Sequence, residues 1–367
     1  MKKYAALAVL AAGAATASAQ SSVTIFGVLD AGASVVKNGA AGSVKSLETS
    51  GNETSRLGFR GIEDLGGGLR AGFEFQGQLF NDTGNLSGMN WQRRSTVSLM
   101  SDSLGELRLG RDYNPTYWNR VDFDPFGNNG VGNQLNMMSL SNPVQTQNQA
   151  AAFPGAVNTT PLGSGASTLV RTSNSVGYFL PGDLGGVYGQ AMAGAGEGVV
   201  GNKYAGARLG YKIGALNVAA SYGRTTLASS DLRSVNAGAS YDFGIVKLMG
   251  LIDRETFDRS LIGAAVQKNL LIGATAPIGP GAVRVSYNRA QISGVGTGVT
   301  GLGNGSAHML AAGYVYDLSM RTALYTSASR ISNDAGVQFT VGPNGPAMNG
   351  LTGQTSTGYE FGIRHRF

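Results

Sequence analysis

The stretch LRAGFEFQGQL, residues 69–79, alternates strictly between two kinds of side chain. Its odd positions are apolar or glycine, with Phe73 and Phe75 at the centre, whereas Arg70, Glu74 and Gln76 occupy even positions. A period of two is that of a β-strand, because a helix spaces its apolar residues three and four apart. The stretch therefore predicts a strand with one apolar face and one polar, charged face.

The same alternation recurs along the chain, for example in SVNAGASY (234–241) and VRVSYN (283–288). The connectors between such segments are of two kinds: seven are tight and rich in Gly, Pro and Asp, and eight are long and polar. This pattern predicts sixteen antiparallel strands, with short turns at one end and long loops at the other. It is typical of an outer-membrane barrel, and residues 20–367 form a single domain of this kind.

The polar strand faces decide between a soluble sandwich and a membrane barrel. They carry charges in mid-strand, such as Arg208 and Lys247, which are costly inside a packed core. Around water they cost little, while the apolar faces meet hydrocarbon, and only helices and closed barrels satisfy the backbone in lipid. The fold class is therefore all-β, a 16-stranded antiparallel transmembrane β-barrel wide enough for an aqueous channel.

The first residues and the composition indicate export. Lys2 and Lys3, the apolar run 5–15 and the sequence Ala17-Ser18-Ala19 predict a signal peptide over residues 1–19. The chain has 57 glycines and no cysteine, so disulfide chemistry is excluded. A formal net charge of +6 without any Lys/Arg run gives no indication of nucleic-acid binding.

Residues 112–170 are the longest interruption of the alternation. They open with aromatic and charged residues and continue with Gly, Asn, Gln, Ser and Thr. Such a long structureless segment in a compact domain is usually functional or disordered. We interpret it as the third long loop, folded into the barrel mouth to narrow a pore; the alternative is a mobile surface loop.

Four fragments, in this order, resemble the β-proteobacterial family of Gram-negative general diffusion porins. They are SVTIFGVLD (22–30), SRLGFRGIEDLG (55–66), LGR (109–111) and the terminal GIRHRF (362–367). The resemblance covers the whole mature chain. It implies a trimeric sixteen-stranded barrel with an inward third loop, located in the outer membrane. It also implies a passive channel for ions and small hydrophilic solutes.

The resemblance also implies a constriction with basic residues on one wall and acidic residues on the loop opposite. The candidates are Arg56, Arg60, Arg111 and Arg171 on the basic side and Asp122 and Asp124 on the acidic side. Opposed charges across a narrow gap create a transverse field that sorts ions. The alternative is that these residues form rim salt bridges that anchor the loop. Arg111 shares the parity of Leu107 and Leu109, so its inward placement requires a β-bulge.

The last strand resembles the signal read by the barrel-assembly machinery in the periplasm. Its residues on one face are Tyr359, Phe361, Ile363 and Phe367. His365 occupies a position on that face where many such signals have an apolar residue. The expected partners are two further copies in a homotrimer, the barrel-assembly machinery, and outer-membrane lipid and lipopolysaccharide.

No pattern in the sequence favours catalysis, a metal or a cofactor. The two histidines, His308 and His365, are distant in sequence, and no Gly-x-Ser-x-Gly nucleophile elbow lies on a strand–helix turn. We expect a mildly anion-selective passive channel, because arginines outnumber acids at the predicted constriction. The alternatives are a substrate-specific porin for small anionic solutes, and a barrel hydrolase or an adhesin.

Overall fold

The computed structural model describes residues 22–84, 90–138, 170–198, 203–226, 230–259, 263–294, 303–342, 345–346, 348 and 351–367. The predicted signal peptide, residues 1–19, lies outside the described residues, as do residues 139–169 of the predicted constriction loop. None of the helices in the described part is long and apolar enough to span a membrane.

Nearly all regular structure is β-strand. The strands are β1 Ser22–Asn38, β2 Ser43–Thr49, β3 Arg56–Gly66, β4 Leu69–Gln78, β5 Arg94–Ser101, β6 Gly105–Tyr113, β7 Arg171–Phe179, β8 Val187–Gly194, β9 Lys203–Ile213, β10 Leu216–Thr226, β11 Ser230–Asp242, β12 Lys247–Arg259, β13 Gly263–Ile278, β14 Gly281–Ser293, β15 Gly305–Asp317, β16 Thr322–Asn333 and β17 Ser356–Arg366. One α-helix, α1 (Pro115–Asp122), and two 3₁₀ turns, Gly39–Ala41 and Gln134–Met137, complete the described elements.

The strands form one closed antiparallel sheet. Sequence neighbours pair in turn, and β1 pairs with β17, from Val28 opposite Arg366 to Asn38 opposite Ser356. Sixteen strands make the wall. The short β2 belongs to the first long loop and pairs with residues 31–37 of β1, whereas β3 pairs with residues 22–28. The predicted sixteen-stranded barrel is confirmed.

The two faces of the wall have the chemistry that the alternation predicted. Leu209, Ile252, Ile272 and Leu310 are exposed on the outside. Tyrosines are also exposed outside, close to the strand ends, where amphipathic rings suit a membrane–water boundary. These tyrosines are Tyr178, Tyr211, Tyr222, Tyr241 and Tyr316.

The carboxy-terminal residue completes the seam between the first and last strands. Phe367 and Gly27 exchange two backbone hydrogen bonds of 3.1 Å. The Phe367 ring lies where a side chain at position 27 would be, so glycine at that position lets the terminal aromatic ring pack on β1. The aromatic terminus therefore has a structural role in closing the barrel.

Candidate functional site: the pore constriction

The third long loop turns into the barrel directly after β6. The Asn114 side chain caps α1 by accepting a 2.9 Å hydrogen bond from the backbone N–H of Tyr117, and Pro115 takes the first helical position. Both choices favour a helix start at this point. The buried side of α1 faces the inner wall of β9–β12, where Asn119 donates a 2.9 Å hydrogen bond to Asn236. The loop therefore crosses the lumen and lies on the far wall.

A buried ionic group fixes this helix to the wall. The Arg120 guanidinium donates to Asp253 at 2.7 Å, to Glu255 at 3.0 Å and to Ser234 at 2.7 Å. All four side chains are buried. Burial would lower the pKa of Arg120, but Asp253 and Glu255 outweigh it and raise the pKa above the ordinary value. Arg120 is thus an anchor and not a free charge in the pore.

Beyond the helix, the loop packs into a trough of glycines on the inner wall. Gly238, Gly273 and Gly313, on β11, β13 and β15, lie beneath Phe123, Pro125 and Phe126, respectively. A methyl group at Gly238 would collide with the Phe123 ring. Phe123 is fully buried in a small apolar cluster with Ala219, Leu251 and Leu271. Glycine on these strands makes room for a ring against the backbone.

Asp124 organises the loop and does not face the open lumen. Its carboxylate accepts backbone N–H groups from Phe126 at 3.0 Å, Asn128 at 3.0 Å and Gln134 at 3.4 Å. Burial raises the pKa of Asp124 to about 6, although these hydrogen bonds oppose the shift. The structure therefore places this predicted acidic residue inside the loop.

Asp122 is the acidic candidate on the surface of the loop. Its side chain is 36% exposed and forms an ion pair with Arg208 on β9. The Arg208 guanidinium also lies 4.9 Å from the centre of the Tyr188 ring. Asp122 is thus neutralised by Arg208, a wall arginine whose pairing with the loop the strand alternation did not indicate.

Arg56 and Arg60 lie together on the opposite wall, on the inner face of β3. Arg60 is exposed, and its guanidinium lies 5.2 Å from the centre of the Phe26 ring. Arg56 forms a 2.7 Å ion pair with Glu53 in the first long loop, and Glu53 also pairs with Arg366 at 2.6 Å. Burial alone would raise the pKa of Glu53, but Arg56 and Arg366 bring it below its usual value.

Arg171 belongs to a cationic cluster around Tyr113. The Tyr113 hydroxyl accepts hydrogen bonds from Arg93 at 2.8 Å and from Arg171 at 3.3 Å. Burial lowers the pKa of Arg93 to about 10; Tyr113 raises it, and repulsion from Arg171 and Arg56 adds to the lowering. Arg93 is still protonated at neutral pH, so it connects Arg56 and Arg171 into one positively charged region.

Arg111 is placed differently from the other three predicted arginines. The expected bulge is present, but its extra residue lies on β7: Gly110 pairs with Ser175 and Asp112 with Thr172. Arg111 keeps the outward parity of Leu107 and Leu109. Its guanidinium donates to the Gln92 carbonyl at 2.6 Å and to the Ser173 hydroxyl at 2.6 Å. The half-buried side chain thus ties the second loop to the bulge, behind the cluster around Tyr113.

Between these groups, β4–β6 carry a balanced ladder of charges. Arg94 bridges Glu74 at 2.8 Å and Asp112 at 2.7 Å. Arg108 pairs with Glu106 at 2.8 Å and with Asp112. The alternation puts Arg94 and Arg108 on the polar face, so their inward direction was readable from the sequence. Arg93 could not be read in this way, because it precedes β5 and lies in a loop.

The comparisons with known proteins agree with this geometry. A family model described as Gram-negative porin matches residues 6–336. The chain belongs to the Gram-negative porin family. It is 36% identical, over 100% of its own length and 99% of the relative's, to outer membrane porin protein 32 of Delftia acidovorans. It is 29% identical to an outer membrane porin protein of Bordetella pertussis, over 100% of both chains.

Solved structures extend the comparison. An anion-selective porin from Comamonas acidovorans superposes with a TM-score of 0.78 at 33% identity, covering 95% of this chain and 100% of that chain. An outer membrane protein of Vibrio cholerae superposes with a TM-score of 0.66 at 12% identity, covering 96% of this chain and 99% of that chain; it shares the fold. This porin is therefore a passive channel of the outer membrane.

Proposed function

We propose that this porin is mildly anion-selective and that the arginines on the β3–β7 side of the lumen produce the selectivity. The supporting observation is the charge balance of the two walls. Within the described residues, no ion pair is recorded for Arg60, Arg93 or Arg171, whereas the loop acid Asp122 is paired with Arg208 and Asp124 is buried. The β3–β7 side of the gap therefore carries positive charge that the two loop carboxylates do not balance.

The range of this field suits a narrow pore. The Debye length at physiological ionic strength is about 8 Å, so salt cannot fully screen charges on the wall of a constriction. Anions are concentrated near Arg60 and the cluster around Tyr113, and cations are repelled. The balanced ladder of Arg94 and Arg108 contributes less, because each guanidinium has carboxylate neighbours. Since some positive charge is compensated, we expect a mild preference.

The experiment is the zero-current potential of the purified porin in a planar bilayer under a tenfold KCl gradient. The proposal expects a potential of the sign set by chloride, which shrinks as the total salt concentration rises. A potassium-selective channel at every salt concentration would contradict it.

A second candidate, a substrate-specific porin for small anionic solutes, is favoured by one observation. The Nε atoms of Arg93 and Arg171 are buried and have no hydrogen-bond partner in the described structure. Titrating succinate or phosphate during chloride conduction separates the two functions. General diffusion gives a current that changes in proportion to solute concentration, whereas a specific site gives saturable block.

We also propose a homotrimer joined through β3 and β4. The outward face of these strands carries an aromatic patch with the second loop: Phe59 and Phe75 each lie 5.6 Å from Trp91, and Phe73 lies 5.7 Å from Phe75. Aromatic side chains of this kind are enriched at subunit interfaces. Cross-linking in native membranes followed by electrophoresis tests whether the protein is a trimer. Phe75→Ala should increase the fraction of monomer.

The exposed aromatic residues of β17 support the remaining proposal, that the last strand is read during assembly. Tyr359, Phe361, Ile363 and Phe367 all point outward and are exposed. Deleting Phe367 should cause a large loss of membrane insertion in cells and only a small loss of stability in refolded barrels. Equal losses in both assays would indicate that Phe367 only closes the seam with Gly27.

A further inference from the structure

The first long loop ends in a turn, residues 50–54, that places a carboxylate against the inner wall. This turn lies between β2 and β3 and leads directly into Arg56 on β3. In the strand register Val28 of β1 pairs with Arg56 on one side and with Arg366 on the other. Glu53 pairs with both of these arginines, at 2.7 and 2.6 Å. One carboxylate of the turn therefore bridges two arginines on either side of β1.

A buried carboxylate on the inner face of β1 fixes the position of this turn. The Asp30 Oδ2 atom accepts the backbone N–H groups of Asn52 at 2.9 Å and Glu53 at 2.7 Å. Its Oδ1 atom accepts the N–H of Gly51 at 3.1 Å and the Tyr325 hydroxyl at 2.7 Å. Successive N–H groups in a turn form a concave site that suits an anion. Asp30 thus holds the backbone of Glu53 directly.

The same turn touches the third long loop. The Thr54 hydroxyl donates a 2.9 Å hydrogen bond to the side-chain oxygen of Asn129. Gly130 has a φ of 67°, and a Cβ at this position would collide with the carbonyl oxygen of Gly51. The turn therefore lies between the wall and the loop that crosses the lumen, at the level of the constriction.

The cavity beside Glu53 is rich in arginine. Its volume is about 620 Å³, and three arginines line it, namely Arg284, Arg364 and Arg366. Two further acids share this lining: Asp124 is buried within the third loop, and Asp317 lies at the end of β15 near a tight turn. The Glu53 side chain is 19% exposed. Glu53 is therefore the lining carboxylate best placed to offset the arginines.

We propose that Glu53 is a selectivity-determining residue that weakens the anion preference of the pore, and that Asp30 is its positioning residue. The inference deepens the proposed anion selectivity and rests on it. The negative charge of Glu53 compensates part of the charge of Arg56 and Arg366, so fewer anions gather on this side of the gap. The strength of selectivity is thus set by an acid of the first long loop as well as by the arginines of the wall.

The first test changes the charge of Glu53 and measures the zero-current potential under a tenfold KCl gradient. Glu53→Gln should raise the chloride-to-potassium permeability ratio about twofold, as expected for one charge about 8 Å from the ion path at physiological ionic strength. Glu53→Lys should shift the potential about twice as far in the same direction. Glu53→Asp keeps the charge and should restore the parental potential. Asp183→Asn removes an exposed carboxylate from the tight turn between β7 and β8, and this charge-matched control should match the parent.

The second test addresses the positioning role of Asp30. Asp30→Asn replaces one acceptor oxygen by an NH₂ group, which cannot accept the N–H groups of the turn. Glu53 then moves away from Arg56, and the potential should shift from its parental value. In Asp30→Asn/Glu53→Gln the potential should equal that of Glu53→Gln alone, because Asp30 acts through Glu53. A general structural role of Asp30 would instead add a further shift in the double variant. If Asp30→Asn does not fold, the Glu53 variants decide the proposal.

A parental potential in Glu53→Gln overturns the inference, as do equal shifts in Glu53→Gln and Asp183→Asn. Failure here is distinguishable from failure of the proposed function. The sign of the parental potential tests anion preference, whereas the difference between the parent and Glu53→Gln tests the role of Glu53. A chloride-selective parent with an unmoved Glu53→Gln potential would contradict only the role of Glu53. A potassium-selective parent would contradict the proposed function, whatever the shift in Glu53→Gln.

Discussion

On the β9–β17 side of the lumen, Arg120 is buried with two carboxylates under the third loop, whereas on the β3–β7 side Arg60 is exposed on the inner face of β3. Arg120 is surrounded by Asp253, Glu255 and Ser234, while Arg60 lies over the Phe26 ring and has no carboxylate partner among the described residues. Arginine thus has a structural role on one wall and an electrostatic role on the other. Carboxylate partners make Arg120 an anchor, whereas Arg60, Arg93 and Arg171 carry positive charge that no carboxylate among the described residues compensates.

The strongest way to break this comparison is to remove the anchor. Arg120→Ala leaves Asp253 and Glu255 as buried carboxylates without their cation, a change that costs about 3–5 kcal/mol. We expect a lower urea midpoint of unfolding and a larger, noisier single-channel conductance, because α1 leaves the wall. The matched control, Arg120→Met/Asp253→Asn/Glu255→Gln, removes all the charges together and should recover much of the stability. An unchanged midpoint in Arg120→Ala would show that the group does not hold the loop.

A second test uses Asp124, the buried acidic residue of the third loop. Since burial raises the pKa of Asp124 from its ordinary value to about 6, the folded state binds the proton more tightly than the unfolded state. The contribution of protonated Asp124 to the free energy of unfolding is therefore fully present below about pH 4. It is lost as the pH rises through 6, with a total change of up to about 3 kcal/mol. Urea midpoints between pH 4 and 7 should show this loss in the parent. In Asp124→Asn the corresponding component should be absent, and an identical pH profile in the two proteins would contradict the assignment.

A smaller effect is expected from filling the glycine trough. Gly238→Leu places a side chain where the Phe123 ring lies, and overpacking of this kind costs about 1–3 kcal/mol. The loop should shift into the lumen and change the conductance while the barrel stays folded. Gly250→Leu on the neighbouring β12 is the control, because the nearest atom to its added Cβ is 3.8 Å away. If both variants conduct like the parent, the loop does not depend on the trough.

The barrel was predictable because strand alternation repeats in every segment and does not depend on distant contacts. The path of the third loop was harder to predict from the sequence. The loop packs on Gly238 and Gly273, which in the sequence resemble any other strand glycine. Leu251 and Leu271 are apolar residues on the otherwise polar inner face, and the structure shows that the loop covers them. An apolar residue on an otherwise polar face was the available signal. Asp124 could not be separated from Asp122 by sequence, because burial of a loop carboxylate depends on tertiary packing.

The bulge shows a second limit of sequence reasoning. A break in register was anticipated near Arg111, but the extra residue lies across the ladder, where Asn174 has a φ of 51°. A bulge changes the pairing of two strands at once, and either strand can hold the extra residue. Parity along β6 alone could not decide which strand holds it.

The central claim is that Arg60, Arg93 and Arg171, which form no ion pair with any described carboxylate, set the ion selectivity. The most direct measurement is the zero-current potential under a tenfold KCl gradient for Arg60→Gln/Arg93→Gln/Arg171→Gln, compared with the parent. Arg208→Gln, which removes the partner of Asp122, serves as the reference for the opposite wall. We expect the zero-current potential of the triple variant to shift clearly toward the value for potassium selectivity. The shift in Arg208→Gln should be smaller for each charge removed. A triple variant with the parental potential, or a larger shift per charge in Arg208→Gln, would contradict the account.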